Sequence, residues 1–343
     1  MSPFVRGFLW AALAALAFGL TTPLVSVLGR GLGTWSTAAL LYCGSAVFAA
    51  AASRRPRAAA RALATRGAML LAIGLIGGML APAAFVYGLH RTGAVSASLA
   101  LNMEAPFSIA IAALAFHEFV GRRLLVAMLA IVGGAALLAL QGGSVTGGLG
   151  IAFVVVATAL WAIDNALSSR LGEVDPRIVV LWKSAFGAAA SFAIAAALHE
   201  TPATPAAAAA LAGVGAIGYG ASLYFYLIAQ RTFGVGRTAS VFAFAPFAGA
   251  AVAIAMGERG LDPASAAAFV LMAAGIGLHA TERHAHAHTH QPLGHVHPHR
   301  HDDGHHDHRH DGPAGEHTHE HLHAAFTHTH EHAPDAHHAH SHH

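Results

Sequence analysis

RTGAVSASLALNMEAPFSIAIAALAFHE at 91–118 and RTFGVGRTASVFAFAPFAGAAVAIAMGE at 231–258 are two copies of one pattern. A shift of 140 positions sets Arg91-Thr92 on Arg231-Thr232, Ala105-Pro106-Phe107 on Ala245-Pro246-Phe247, and Glu118 on Glu258. Three landmarks at one offset, without a gap, are too many for chance even in alanine-rich sequence. Further out, a shift near 143 sets Phe18 on Trp161 and Leu28-Gly29 on Leu171-Gly172. The chain up to about Ala280 is one unit used twice.

That unit is built for lipid. Of the 343 residues, 55% are hydrophobic and 10% charged, against roughly a quarter charged in soluble domains. A bilayer-spanning helix needs about 20 mostly apolar residues. Ten such stretches fall near 5–28, 34–52, 68–89, 94–116, 124–141, 148–168, 178–198, 207–229, 238–256 and 263–280. A soluble helical bundle would show polar faces that these stretches lack. The first stretch is longer than the apolar core of a signal peptide and runs into a second, so it reads as a span. A net charge of +2 gives no reason to expect nucleic acid. The single cysteine, Cys43, excludes an intrachain disulfide.

Arginine sets the orientation. With the N-terminus inside, thirteen arginines fall on the inner side: Arg6, Arg54, Arg55, Arg57, Arg61, Arg66, Arg122, Arg123, Arg170, Arg177, Arg231, Arg237 and Arg283. Only Arg30, Arg91 and Arg259 fall outside. Cytoplasmic loops carry the excess of Lys and Arg, which puts both termini in the cytoplasm and the protein in the inner membrane. Five spans per copy is odd, so the second copy runs opposite to the first. Inverted repeats of this kind carry a site at mid-depth between the halves. The expected architecture is all-α: repeats over 1–142 and 143–281, then a tail over 282–343.

With its Pro106 and Pro246 segments, His117-Glu118 and Gly257-Glu258-Arg259, the body resembles the drug/metabolite transporter superfamily, in the branch with paired EamA-type domains. The resemblance covers about 1–280 and implies a gradient-driven carrier of a small metabolite, not an enzyme. It also implies a basic residue early in the second helix of each copy. Lys183 supplies one in the second copy only.

Charges inside a span are costly and mark function. The body has three: Glu104, Asp164 and Lys183. Asp164 and Lys183 lie equally far from the 171–176 turn, so a helix hairpin brings them to one depth as an ion pair. Glu104 sits mid-span beside Asn102 and two residues before Pro106, with no obvious local partner. Pro106 and Pro246 should kink their helices. Asn165, Tyr87, Trp161 and Tyr224 complete the candidate site, and Phe18, Tyr219, Tyr226 and Phe244 are further aromatics that could line a cavity. Gly74-x-x-x-Gly78 suits close helix contact. Gly213-x-Gly215-x-x-Gly218 spells the dinucleotide fingerprint but lies inside an apolar span with no strand before it, so it is not a cofactor site. Glu118 and Glu258 read as helix-end caps.

The tail is another kind of sequence. From Glu282 to His343 it holds 24 His, nine acids and three Arg. It has almost no apolar residues to bury, which predicts disorder. His284, His286, His288, His290, His295, His297, His299, His301, His305, His306, His308 and His310 are candidate ligands for Zn, Ni or Co, since imidazole suits these ions. No cofactor is required by the body. Two functions follow: a gradient-coupled metabolite exporter with a metal-binding tail, or a divalent-metal transporter whose tail collects the ion at the cytoplasmic mouth. The spans offer few metal ligands, which favours the metabolite. Partners are the bilayer, a small-molecule substrate and divalent ions; the sequence does not set an oligomeric state.

Overall fold

The computed structural model describes residues 3–53, 55–116, 120–141, 145–233, 235–258 and 262–280, and tail segments 284–290, 293–299, 317–323 and 326–332. The chain divides into a helical unit ending at Glu282 and a second unit over Arg283–Ala333.

Fifteen α-helices make up the described helical unit. In the first half these are α1 Pro3–Gly19, α2 Thr21–Leu28, α3 Thr34–Ala52, α4 Pro56–Leu75, α5 Ala81–Thr92, α6 Ala94–Ala100, α7 Glu104–Phe116 and α8 Arg122–Gln141. In the second half they are α9 Val145–Ser168, α10 Pro176–Ala197, α11 Pro205–Gly215, α12 Ser222–Phe233, α13 Val235–Phe242, α14 Ala245–Ala255 and α15 Pro263–Ala280. Several starts are spelled locally. Asp175 caps α10 by accepting from the Arg177 amide at 3.0 Å, and Thr204 caps α11 by accepting from the Ala207 amide at 3.3 Å. Each cap precedes a proline at the first helical position, where a missing N–H costs nothing.

Eight helical stretches are long and apolar enough to cross a membrane; two further apolar helices, Ala245–Ala255 and Pro263–Leu278, are shorter. Large apolar side chains point outward around the unit, Leu114 at 80% and Leu140 at 83% exposure among them. That surface suits lipid, which leaves only backbone-satisfied helices or closed barrels able to span. The stretch after Arg55, between two of the expected spans, is helix: α4 begins at Pro56 and breaks its backbone only at Arg66 (φ −128°). Ala59 and Ala62 pack under Ile178 and Val179, and Trp182 donates to the Ala59 carbonyl at 3.0 Å. Its alanines propagate helix well, and the buried stripe holds it down.

The repeat appears in the broken helices. A π-helical turn over Ile76–Leu80 joins α4 to α5, and another over Ala216–Ala221 joins α11 to α12. They stand at the same 140-residue offset. The two stretches run in opposite directions. Arg66, near the start of one, pairs with Glu173, and Arg231, at the end of the other, donates to the carbonyls of Gly172 and Val174. One end of the bundle is thus rich in arginine; the other carries Arg30, His90, Gly93 and Glu258 around one cavity. The proline segments break as well. A 3-10 turn over Leu101–Met103 precedes Pro106, and α14 begins at Ala245 with Pro246 in its first turn.

The tail is described only in part. Its described residues form strands β1 His284–His290, β2 Leu293–His299, β3 His317–His323 and β4 Phe326–His332. β1 pairs antiparallel with β4, and β2 with β3. The His-x-His spelling has period two, the period of a strand, and ladder pairing does not require a core. His301, His305, His306, His308 and His310 lie outside the described residues.

Helix contacts are backbone-close. A Cβ on Gly44 would lie 1.8 Å from the Ala212 carbonyl oxygen, whereas one on Gly213 meets nothing within 4 Å. Gly44→Ala is expected to lower stability by about 1–3 kcal/mol through overpacking. Gly213→Ala is expected to raise it by about 0.5–1 kcal/mol, by removing a glycine from a helix. Thermal unfolding of the detergent-solubilised protein, followed by size-exclusion chromatography, separates the two.

Candidate transport site

The site begins with a backbone defect. Where the π-helical turn replaces α-helix, the Gly77 carbonyl accepts from two side chains, the Tyr42 hydroxyl at 2.6 Å and the Trp161 indole at 3.2 Å. Such turns are frequent at functional sites. Glycine is required at this point: a Cβ on Gly77 would lie 2.2 Å from the Asp164 carboxyl carbon. On the next residue, a Cβ on Gly78 would lie 2.8 Å from the Lys183 carbonyl oxygen, and one on Gly74 would lie 2.7 Å from the Phe186 Cβ. The Gly74-x-x-x-Gly78 pattern is therefore the seat of α10.

Asp164 and Lys183 form the ion pair that their spacing predicts, buried to 0% and 5% side-chain exposure. Asn165, the next residue on α9, turns the other way and donates to Glu104 Oε1 at 2.7 Å. Glu104 has no local partner, as its sequence suggests; its partner comes from the other half, because α7 lies against α9. Consecutive residues of α9 tie Lys183 and Glu104 into one polar group. Asn165, Ser168, Ser169, Tyr226 and Gln230 line a cavity beside it. One turn earlier on α9, Trp161 enters an aromatic cluster. Its ring lies 6.0 Å from Phe18, 5.8 Å from Phe85 and 6.5 Å from Tyr219, and Tyr42 stands 5.2 Å from Tyr219.

Other candidates sit elsewhere. Asn102 is buried, but its amide nitrogen donates to the Leu99 carbonyl at 3.0 Å and faces Met272 of α15, away from Glu104. Tyr87 packs on Phe153, centroids 4.3 Å apart, under the Arg91 guanidinium near the arginine-poor end. Tyr224 accepts from Arg177 Nη2 at 2.8 Å near the arginine-rich end. Phe244 is 57% exposed. Tyr42, Gly77 and Gln230 were missed. The only signal for Gly77 is its place in a Gly-Gly step. His117 and Glu118 lie outside the described residues.

The repeat is visible here in side chains too. Thr21 stands where Asp164 does, 143 positions earlier, and a Cβ on Gly218 would lie 1.7 Å from its Cγ2. Phe18 stands for Trp161. At this matched pair of positions one half carries a carboxylate and the other a hydroxyl.

Broken helices, a repeat run in opposite directions and a polar knot between them define a helical membrane protein built from two repeated halves. The model of the EamA-like transporter family matches residues 5–140 and 148–281, and the chain belongs to that family. A curated relative from Methanothermobacter thermautotrophicus, described as an uncharacterized transporter, is 30% identical over 193 residues. That match spans 53% of this chain and 55% of the relative, about half of each. A solved crystal structure superposes with a TM-score of 0.57 at 17% identity, covering 79% of this chain and 96% of the other; this likeness shows the fold alone. The chain is a multi-pass integral membrane protein of a transporter family.

Breaking the ion pair tests the knot. Lys183→Met strands the Asp164 carboxylate at a cost of about 3–5 kcal/mol, and membrane abundance is expected to fall. Exchanging the two residues, or neutralising both as Asp164→Asn with Lys183→Met, is expected to restore abundance. Quantitative immunoblots of membrane fractions read the outcome. If neither double variant recovers, the two residues do not act as partners.

Proposed function

We propose that this chain is a secondary active exporter of a small metabolite, coupled to an ion gradient, with a metal-binding tail. It crosses the inner membrane ten times as two inverted repeats, 1–142 and 143–281. The arginine-rich end and both termini face the cytoplasm. The observation that carries the reading is Glu104: an acid placed mid-span by a broken helix, held through Asn165 next to the Asp164–Lys183 pair. A buried carboxyl there can carry a proton or hold a cationic group of the substrate. The adjacent cavity, about 20 Å³ and lined by hydroxyls and amides, holds no more than a water in this state, and a polar metabolite would meet those groups when the bundle opens.

A divalent-metal substrate is the second reading, favoured by the tail alone. Among the described residues no group of three His, Cys, Asp or Glu gathers to hold a metal. That favours a metabolite path through the bundle. No cofactor is required for transport. In the tail, strand pairing sets histidine opposite histidine: His284 with His332, His286 with His330 and His288 with His328 in one ladder. In the other, His295 meets His321, His297 meets His319 and His299 meets His317. Zn, Ni and Co are the ions such sets suit.

Sensitivity profiling of a deletion strain against metabolite analogues and metals identifies the substrate. Uptake into proteoliposomes then reads the variants. Glu104→Gln is expected to abolish transport with insertion intact, and Glu104→Asp to retain part of it at a shifted pH optimum. Near-normal transport by Glu104→Gln reduces the acid to a support for the broken helix, since an amide keeps most neutral hydrogen bonds.

Tail and transport separate. Truncation after Glu282 is expected to leave an inserted protein that has lost several equivalents of bound Zn relative to the full chain. In the full chain that Zn is released between pH 7 and 5, as imidazoles protonate near about pH 6.5. Equal Zn content in the two proteins removes the tail from metal chemistry.

A further inference from the structure

Two glutamates at the arginine-poor end reach across between the halves to helix starts. Glu200, just past α10, accepts from the amides of Trp35 at 3.1 Å and Ser36 at 2.7 Å, at the start of α3. Glu258, just past α14, accepts from the amides of Ala94 at 3.0 Å and Val95 at 3.2 Å, at the start of α6. Both satisfy orphan N–H groups of a helix N-terminus with a negative charge. Their surroundings differ. α3 and α10 pack along their whole lengths, so Glu200 ties helices already bound.

Glu258 ties a seam that is shut on one side only. α6 packs closely on α14. The 140-residue offset carries α6 onto α13 and α14 onto α7, yet among the described residues α7 and α13 share no comparable packing. α7 lies on α9 instead, and α13 on α1. The repeat therefore closes this seam at the arginine-poor end and leaves it apart at the arginine-rich end. Just inside the Glu258 contact the closed seam is made of small residues. A Cβ on Gly249 would lie 2.7 Å from the Gly19 carbonyl oxygen and 2.8 Å from Ser98 Oγ. Outside it stands a cavity of about 660 Å³, lined by Arg30, His90, Gly93, Met256 and Glu258. Gly93 has φ +86°, and a Cβ there would lie 2.6 Å from Glu258 Oε1, so the carboxylate has room only over a glycine.

We propose that Glu258 is the latch of a gate between this cavity and the Glu104–Asp164 group, and that release of the Ala94 and Val95 amides opens the α6–α14 seam. Both carboxylate oxygens are engaged, so an amide in their place turns an N–H₂ toward an N–H donor. Glu200 is a staple, not a latch. The proposal rests on the transporter reading of the site but concerns the arginine-poor end, whichever compartment that end borders.

The test uses the full chain with Cys43→Ser and Ser98→Cys, labelled by a membrane-impermeant thiol reagent from each side of the membrane in turn. A separate Arg30→Cys protein marks the compartment that the arginine-poor end faces, so an error of orientation is read apart from an error about the gate. From that side Ser98→Cys is expected to label slowly. Adding Glu258→Gln is expected to speed labelling by roughly tenfold, the loss of a charge-assisted contact. Adding Glu200→Gln is expected to leave the rate unchanged. If Glu258→Gln fails to reach the membrane, Glu258→Asp, one methylene short, must give the faster labelling. An inserted Glu258 variant that labels at the parent rate overturns the proposal. So does equal acceleration by Glu200→Gln, which would mean general loosening of this end.

Discussion

The Asp164 carboxyl occupies the space that a side chain on residue 77 would fill, and Lys183 closes on it from the far flank. Three helices meet there at backbone distance. None of the three contacts survives alone. Without glycine at 77 and 78, α9 and α10 could not approach; without Lys183, a carboxylate would be stranded in an apolar bundle. Lipid offers backbone and charge no partners, so each exposed group has to be matched inside. The π-helical turn follows the same rule: Tyr42 and Trp161 both donate to the Gly77 carbonyl. These donors also bring the aromatic cluster to the side of the ion pair.

The two halves share a backbone plan and divide the chemistry. Each has a π-helical turn and a proline-bearing broken helix, and in each a glycine of the turn lies under a polar residue of the neighbouring half. In the second half that residue is Asp164; in the first it is Thr21, whose hydroxyl donates to the Phe18 carbonyl at the end of α1. A symmetric pair of acids at this depth would repel, and each would need its own counter-ion. With one acid and one lysine, the knot is neutral. Glu104, from the other half, is tied to that knot through Asn165.

The sequence revealed what depends on spacing and hid what depends on direction. The offset of 140 exposed the repeat. Equal distances from the 171–176 turn paired Asp164 with Lys183, because a short turn fixes depth on both helices. Asn102 failed on direction: two residues from Glu104 on a helix is a turn of about 200°, and the 3-10 turn at Leu101–Met103 aims it at Met272. Tyr87 and Tyr224 failed on depth, since aromatics near arginines sit at the ends and pair with them. The partner of Glu104 comes from the other half, and no local pattern announces it.

A carrier needs two arrangements of nearly equal free energy, and the knot limits where they can differ. Separating a buried ion pair costs several kcal/mol, more than a cycle of small steps can spend at one point. The helices bound through Asp164, Lys183 and Gly77 therefore move together or not at all. The α6–α14 seam has no such tie. It is held by glycine, alanine and serine at contact distance and by one carboxylate at the edge of a cavity, where water can replace the amides that Glu258 gives up. Cheap contacts are placed where motion is needed, and the expensive one where it is not.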